Sequence, residues 1–209
     1  MTKEERVFWI AFSVFPGIGP MRFKLLIDYF GSAKKAWEAS VDEFRRINLG
    51  EKLTEKFSEF RKTFDSDSYT KQLAYHHVNT LTWNDARYPR LLKEISDAPF
   101  LLYVKSKPSM ERIDMEKTIA VVGTRRATPY GINVTKRITE DLVANGFTIV
   151  SGMAYGIDAV SHETAMAMGG KTIAVLGCGV DVIAPPSNAG MYKKISEEGF
   201  GAVISEMPL

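Results

Sequence analysis

Arg125 and Arg126 close a short run, Gly123-Thr124-Arg125-Arg126, that follows the apolar stretch Thr118–Val122. A guanidinium forks onto two oxygens of a phosphate, a threonine hydroxyl can donate to another, and glycine lets backbone N–H groups come close. The residue types point to holding an oxyanion, not to breaking a bond. Two further runs repeat the pattern. Ser151-Gly152-Met153-Ala154-Tyr155-Gly156 follows Phe147–Val150, and Gly177-Cys178-Gly179 follows Thr172–Leu176. Small residues ahead of a helix N-terminus make an anion cradle. Asp158 stands where it can cap that helix or orient a partner. His162 lies one turn on, with no identifiable nucleophile to activate. Tyr155 and Met153 are of the types that pack on an unstacked base.

Other chemistries are missing from the text of the chain. Gly177-Cys178-Gly179-Val180-Asp181-Val182 fails the dinucleotide fingerprint, because valine fills the third glycine position and Pro185-Pro186 follows. Gly123 starts no such fingerprint either. There is no Walker A run and no His-Glu-x-x-His. Cys178, the single cysteine, has no second thiol for a disulfide or a metal. No catalytic residue, metal or cofactor is expected.

The elements that must position these loops change character along the chain. Apolar periodicity predicts helices over Lys3–Phe15, Pro20–Phe30, Ala33–Ala39, Val41–Ile47, Lys52–Phe64 and Ser68–His77. Ser40 or Asp42, and Ser66 or Asp67, are candidate N-caps, and Gly31 and Gly50 candidate stops. Between the first two helices lies Phe15-Pro16-Gly17-Ile18-Gly19-Pro20, the pattern of a helix-hairpin-helix turn. There Gly17 and Gly19 would let a phosphate approach while Arg22 and Lys24 add charge; a plain connector fits the same residues. Strands are predicted at Val78–Trp83 and Phe100–Val104. From Thr118 onward strands at Ile119–Val122, Thr148–Val150, Ile173–Leu176 and Ala202–Ile204 alternate with helices at Pro129–Asn145, Gly156–Met168 and Asn188–Glu198. Continuously apolar strands, each followed by a helix, predict an α/β fold: a Rossmann-like, mainly parallel sheet with helices on both faces. Its three glycine loops would then emerge along one edge, where such sheets bind ligands. Two domains result, a helical one over 1–74 and an α/β one over 75–209.

Composition sets limits on this picture. Of 209 residues, 45% are hydrophobic and 25% charged, enough for a sizeable core. Residues 1–80 carry 13 Lys/Arg against 11 Asp/Glu, and residues 81–209 carry 14 against 14, so any polyanion must be held by local geometry, not by a global field. The apolar stretch Val7–Phe15 is too short to span a bilayer, and Glu4 and Glu5 precede it, so a buried first helix is expected instead of a signal peptide. A reducing, cytoplasmic setting suits a chain with one cysteine.

Taken together, Ala120–Arg126, Ser-Gly-Met-Ala-Tyr-Gly-Ile-Asp-x-x-x-His over 151–162, Gly-Gly-Lys-Thr-Ile-Ala-Val-Leu-Gly-Cys-Gly-Val-Asp over 169–181, Pro185-Pro186-Ser187-Asn188 and Ile204–Leu209 resemble the DprA/Smf family of DNA-processing proteins. The likeness is dense from about Asn79 onward. The Pro-Gly-Ile-Gly hairpin fits the family's small N-terminal domain of SAM-like or helix-hairpin-helix type. The resemblance implies an extended Rossmann-like domain that binds single-stranded DNA without sequence preference. It also implies presentation of that DNA to the RecA recombinase in natural transformation, action as a homodimer, no cofactor and no reaction. Carried over by position, Gly123, Thr124 and Arg125, flanked by Arg126, form the phosphate loop. Ser151, Gly152, Met153, Ala154 and Gly156, with Gly177, Cys178 and Gly179, complete the pocket, and Asp158, His162 and Asn188 support it. Three departures stand out. Thr124 replaces the commoner serine, Pro186 stands where some members have a lysine, and members continue past the segment ending here at Leu209 into a basic stretch and further elements. The resemblance therefore implies a fragment or truncated form, lacking the part that usually carries the RecA and dimer surfaces. The rival reading is a nucleotide-processing enzyme like the phosphoribohydrolases of related fold, whose Pro-Gly-Gly-x-Gly-Thr segment this chain lacks.

Overall fold

Six helices open the chain: α1 (Lys3–Val14), α2 (Pro20–Phe30), α3 (Ala33–Glu38), α4 (Val41–Arg46), α5 (Glu51–Thr63) and α6 (Ser66–Tyr75). The computed structural model describes residues 1–107 and 115–209. The helix ends follow local chemistry. Ser40 and Glu43 form a reciprocal capping box at α4, and Gly31 ends α2 at φ 82°, a left-handed conformation that glycine adopts without strain. For α6 the expected caps Ser66 and Asp67 are displaced. Asp65 accepts from the N–H groups of Asp67 and Ser68, both at 3.0 Å, because its side chain reaches the free donors of the first turn. Between α1 and α2, Gly17 turns at φ 121°. A methyl group there would lie 2.8 Å from Leu53 Cδ1.

The core of this unit is aromatic. Phe12 stacks on Phe57 at 5.1 Å, and Trp37 meets both edge-on. Leu81–Leu101 packs into the same unit as Met1–Tyr75. The segment carries the end of β1 (Val78–Thr82) and the short helix α7 (Arg90–Lys93). Two observations explain why it belongs there and not with the α/β part where the sequence put it. Phe100 stacks on Phe23 at 3.9 Å while Trp83 meets Trp9 at 90°, burying apolar surface that the helices alone leave open. Arg6 forks onto Asp85 at 3.0 and 2.6 Å, and Asp85 also accepts from the Thr82 N–H and hydroxyl.

The second unit comprises His76–Thr80 and Leu102–Leu209. Its strands are β2 (Leu101–Ser106), β3 (Thr118–Ala120), β4 (Thr148–Ser151), β5 (Thr172–Leu176) and β6 (Gly201–Ser205), and the six-stranded sheet runs β1-β2-β6-β5-β4-β3. Pairs β3–β4, β4–β5 and β5–β6 are parallel; β2 runs antiparallel to β6, with Tyr103 opposite Ser205. The fold is thus mixed α/β with a mostly parallel sheet. Strand β3 is shorter than the apolar run Ile119–Val122 suggests, since the chain leaves the ladder after Val121 donates to the Val150 carbonyl. Helices α8 (Pro129–Ala144) and α9 (Ile157–Ala167) pack on each other and on β4, and α10 (Ala189–Glu197) packs on β5 and β6. Tyr103, Ile149, Ala174, Val203 and Ile195 are fully buried in this core. Among the described residues, no helix is long and apolar enough to cross a membrane.

Candidate functional site

Because β3, β4 and β5 are neighbours and parallel, the loops that follow them leave the sheet side by side. Loop one, Gly123–Arg126, is exposed throughout. The Thr124 hydroxyl accepts from the Arg126 N–H at 3.1 Å, which turns the loop, and its own proton stays available. Among the described residues, no carboxylate pairs with Arg125 or Arg126. Two glycines fix the loop against the start of α9. A methyl group at Gly123 would lie 2.7 Å from Ile157 Cγ1, and one at Gly156 would overlap the Thr124 carbonyl oxygen. The Ile157 N–H then donates to that carbonyl at 3.2 Å. Ile157 also reaches the first turn of α8, where its Cδ1 would touch a methyl group at Gly131. The N-terminal ends of α8 and α9 therefore meet at loop one, and their partial positive charges add to those of the arginines.

Loop two, Ser151–Gly156, folds around a side chain of the chain itself. Asp158 Oδ2 accepts from the Gly152 N–H at 3.1 Å and the Ala154 N–H at 3.4 Å. Ser151 is buried, and its hydroxyl donates to the Val121 carbonyl at 2.6 Å, tying loop two to loop one. Met153 is fully buried at φ 58°, so it cannot meet a base, and its carbonyl accepts from Asn188 Nδ2 at 2.8 Å. Ser151 and Met153 thus face inward, while Gly152 is exposed. Tyr155 alone in this run presents a large exposed side chain, half of it accessible.

Loop three is likewise mostly internal. Gly179 is buried; a methyl group there would overlap Asp181 Oδ1 and lie 2.7 Å from the Pro208 carbonyl oxygen. Cys178 is half-buried with its thiol 3.8 Å from the Val182 carbonyl. Only Gly177 of the three is exposed. His162 is fully buried, with Nδ1 at 2.6 Å from Thr172 Oγ1. The Thr172 hydroxyl also donates to the Ile149 carbonyl at 2.9 Å. Among the described residues, Nε2 has no partner within hydrogen-bond distance and geometry. Burial pushes the His162 pKa down to about 4, against the opposing pull of Asp158 and the Ser151 backbone. The hairpin residues Gly17, Gly19, Arg22 and Lys24 lie in the helical unit. Arg22 donates to the Gly17 carbonyl at 2.7 Å, bracing the hairpin. Lys24 lines a cleft of about 200 Å³ together with Met21, Trp83 and Lys93.

One exposed residue at the site escapes the sequence motifs. Tyr130, in the first turn of α8, is 78% exposed and stands four residues beyond Arg126. An apolar-looking residue at the start of an amphipathic helix reads as core; only the fold shows it facing water.

An open α/β sheet, two adjoining helix N-termini and two exposed arginines with no carboxylate partner among the described residues thus come together at loop one. Residues 79–209 match the family model of DNA recombination-mediator protein A, and the chain belongs to that family. It is 36% identical to the protein Smf of Synechocystis sp. over its whole length, covering 52% of that protein. It is 40% identical to the DNA processing protein DprA of Streptococcus pneumoniae, over 58% of this chain and 41% of the relative. The chain thus spans about half the length of the curated relatives it matches. The X-ray structure of DprA from Streptococcus pneumoniae superposes with a TM-score of 0.76 at 28% identity, over 99% of this chain and 68% of the other. A structure of the Helicobacter pylori protein, described for its single-stranded DNA binding mode, gives a TM-score of 0.53 at 29% identity, over 65% of this chain and 58% of the other.

Proposed function

We propose that this chain, in the cytoplasm, binds single-stranded DNA without sequence preference and without catalysing a reaction, in service of RecA-mediated recombination during DNA uptake. The observation that carries the reading is the exposed arginine pair on loop one, without a carboxylate partner among the described residues and set where two helix N-termini meet. Arg125 supplies the charge-assisted, two-point bond to a phosphate, with Arg126 beside it. The Thr124 hydroxyl and the N–H groups of loop one complete the clamp. Loop two supports it: Ser151 donates to the Val121 carbonyl, while Asp158 and Asn188 brace loop two itself. A phosphate is common to every nucleotide, so such a clamp does not read sequence. The relative whose structure is described by its single-stranded DNA binding supports the choice of ligand.

The test is fluorescence anisotropy with oligo-dT across a salt series, against duplex DNA of the same length. Arg125→Ala is expected to weaken oligo-dT binding and to reduce the slope of log affinity against log salt by about one for each lost phosphate contact. An unchanged affinity and slope would place the clamp elsewhere. Turnover of AMP without oligo-dT binding would replace this reading with the nucleotide-processing one.

A further inference from the structure

We propose that Tyr130 and Tyr155 form a base-stacking platform on either side of the arginine loop, and that this pair makes the clamp select unpaired strands. The inference rests on the phosphate clamp proposed above and adds the part that discriminates. Both rings are largely in water, 78% and 50% exposed, although exposing an aromatic ring forfeits its burial energy. Their neighbours explain why they share a site. Tyr155 directly precedes Gly156, where an added methyl group would run into the Thr124 and Arg125 carbonyls. Tyr130 directly precedes Gly131, where an added methyl group would touch Ile157 Cδ1 at 3.8 Å. Ile157 in turn packs against Gly123. One residue thus pins together the two backbone segments that carry the tyrosines and the loop that carries Arg125 and Arg126.

The chemistry names the ligand class. Unpaired cations take phosphate, and exposed aromatic faces take π-surfaces of matching size. A strand whose bases are unstacked offers both within one nucleotide. In a duplex the same faces are hidden in the stack, so the tyrosines gain nothing there. Stacking tolerates any base, in keeping with a clamp that does not read sequence.

The test separates phosphate from base. The intact chain is titrated with oligo-dT and with an abasic phosphodiester strand of equal length and charge. The wild type is expected to favour oligo-dT by roughly tenfold or more, the scale of one or two stacked bases. Tyr155→Ala and Tyr130→Ala are each expected to reduce that ratio severalfold, and the double variant to bring it near one, with the salt slope unchanged. Tyr155→Phe and Tyr130→Phe keep the ratio, since the ring and not the hydroxyl stacks. Arg125→Ala weakens both strands alike and keeps the ratio. If the alanine variants hold the wild-type ratio, the platform is overturned while the clamp stands. If they collapse the ratio but Arg125→Ala changes nothing, the stacking stands and the phosphate contacts lie elsewhere. If the intact chain binds neither strand, both proposals fail.

Discussion

His162 shows how a residue suggestive of chemistry can serve structure. Its imidazole is fully buried on α9, with Nδ1 hydrogen-bonded to Thr172 of β5. Protonation would put a charge where water cannot follow, which is why its pKa falls to about 4 from an ordinary 6.5. The consequence for stability has a definite sign. The unfolded chain takes up this proton below about pH 6.5, while the folded chain resists until about pH 4. The neutral side chain's contribution is therefore complete above pH 6.5 and is lost as the pH falls through that window. Urea unfolding should show a loss of about 2 kcal/mol from this group between pH 7 and pH 5. His162→Gln should flatten that part of the profile. An equally steep profile in the variant would assign the pH dependence to other groups. The sequence placed His162 correctly one turn into α9. It could not reveal that the ring points inward, because that depends on Thr172 lying on the adjacent strand.

Among the elements, the junction of loop one with α9 carries the most constraint. Gly156 combines a positive φ of 77° with a carbonyl oxygen where a side chain would begin. Gly177, on the neighbouring loop, has open space around it and ordinary φ. Gly156→Ala should lower the melting temperature by several degrees or more, as strain of about 1–3 kcal/mol demands, and should weaken oligo-dT binding by displacing Thr124 and Arg125. Gly177→Ala should leave both near the wild type. Equal effects would mean that the close approach at Gly156 does not hold the loop. Both glycines were visible in the sequence as parts of similar loops, and only the packing separates them. Much else at this scale was legible. The helices followed from periodicity and end signals such as Ser40 and Gly31. The parallel strands followed from their apolar runs. What was not legible depends on partners distant in the chain: the antiparallel β2–β6 pairing, the filling of loop two's cradle by Asp158, and the exposure of Tyr130.

For the whole molecule, the lesson lies in residues 81–101. A change of pattern from helix to strand near residue 75 suggests a boundary there, yet the helical unit also includes Leu81–Leu101. The reason is aromatic: Trp9 and Phe23 reach Trp83 and Phe100, and Arg6 has its carboxylate partner at Asp85. Periodicity cannot report contacts of this sequence separation. A fragment ending at Tyr75 would leave Trp9 and Phe23 facing water and Arg6 without Asp85. Its thermal unfolding, followed by circular dichroism, should be broader and centred lower than that of a fragment ending at Leu101. In the intact chain, Phe100→Ala should destabilise the helical unit by about 3–5 kcal/mol, the usual cost of emptying a buried phenylalanine site. Its effect should be read by tryptophan fluorescence, since Trp9 and Trp83 both lie within 6.3 Å of that ring, centroid to centroid. A fragment 1–75 that melts as sharply and as high as 1–101, with little cost from Phe100→Ala, would restore the boundary near residue 75. The opposite result would make Leu81–Leu101 an integral part of the helical unit, to be kept or removed together with Met1–Tyr75.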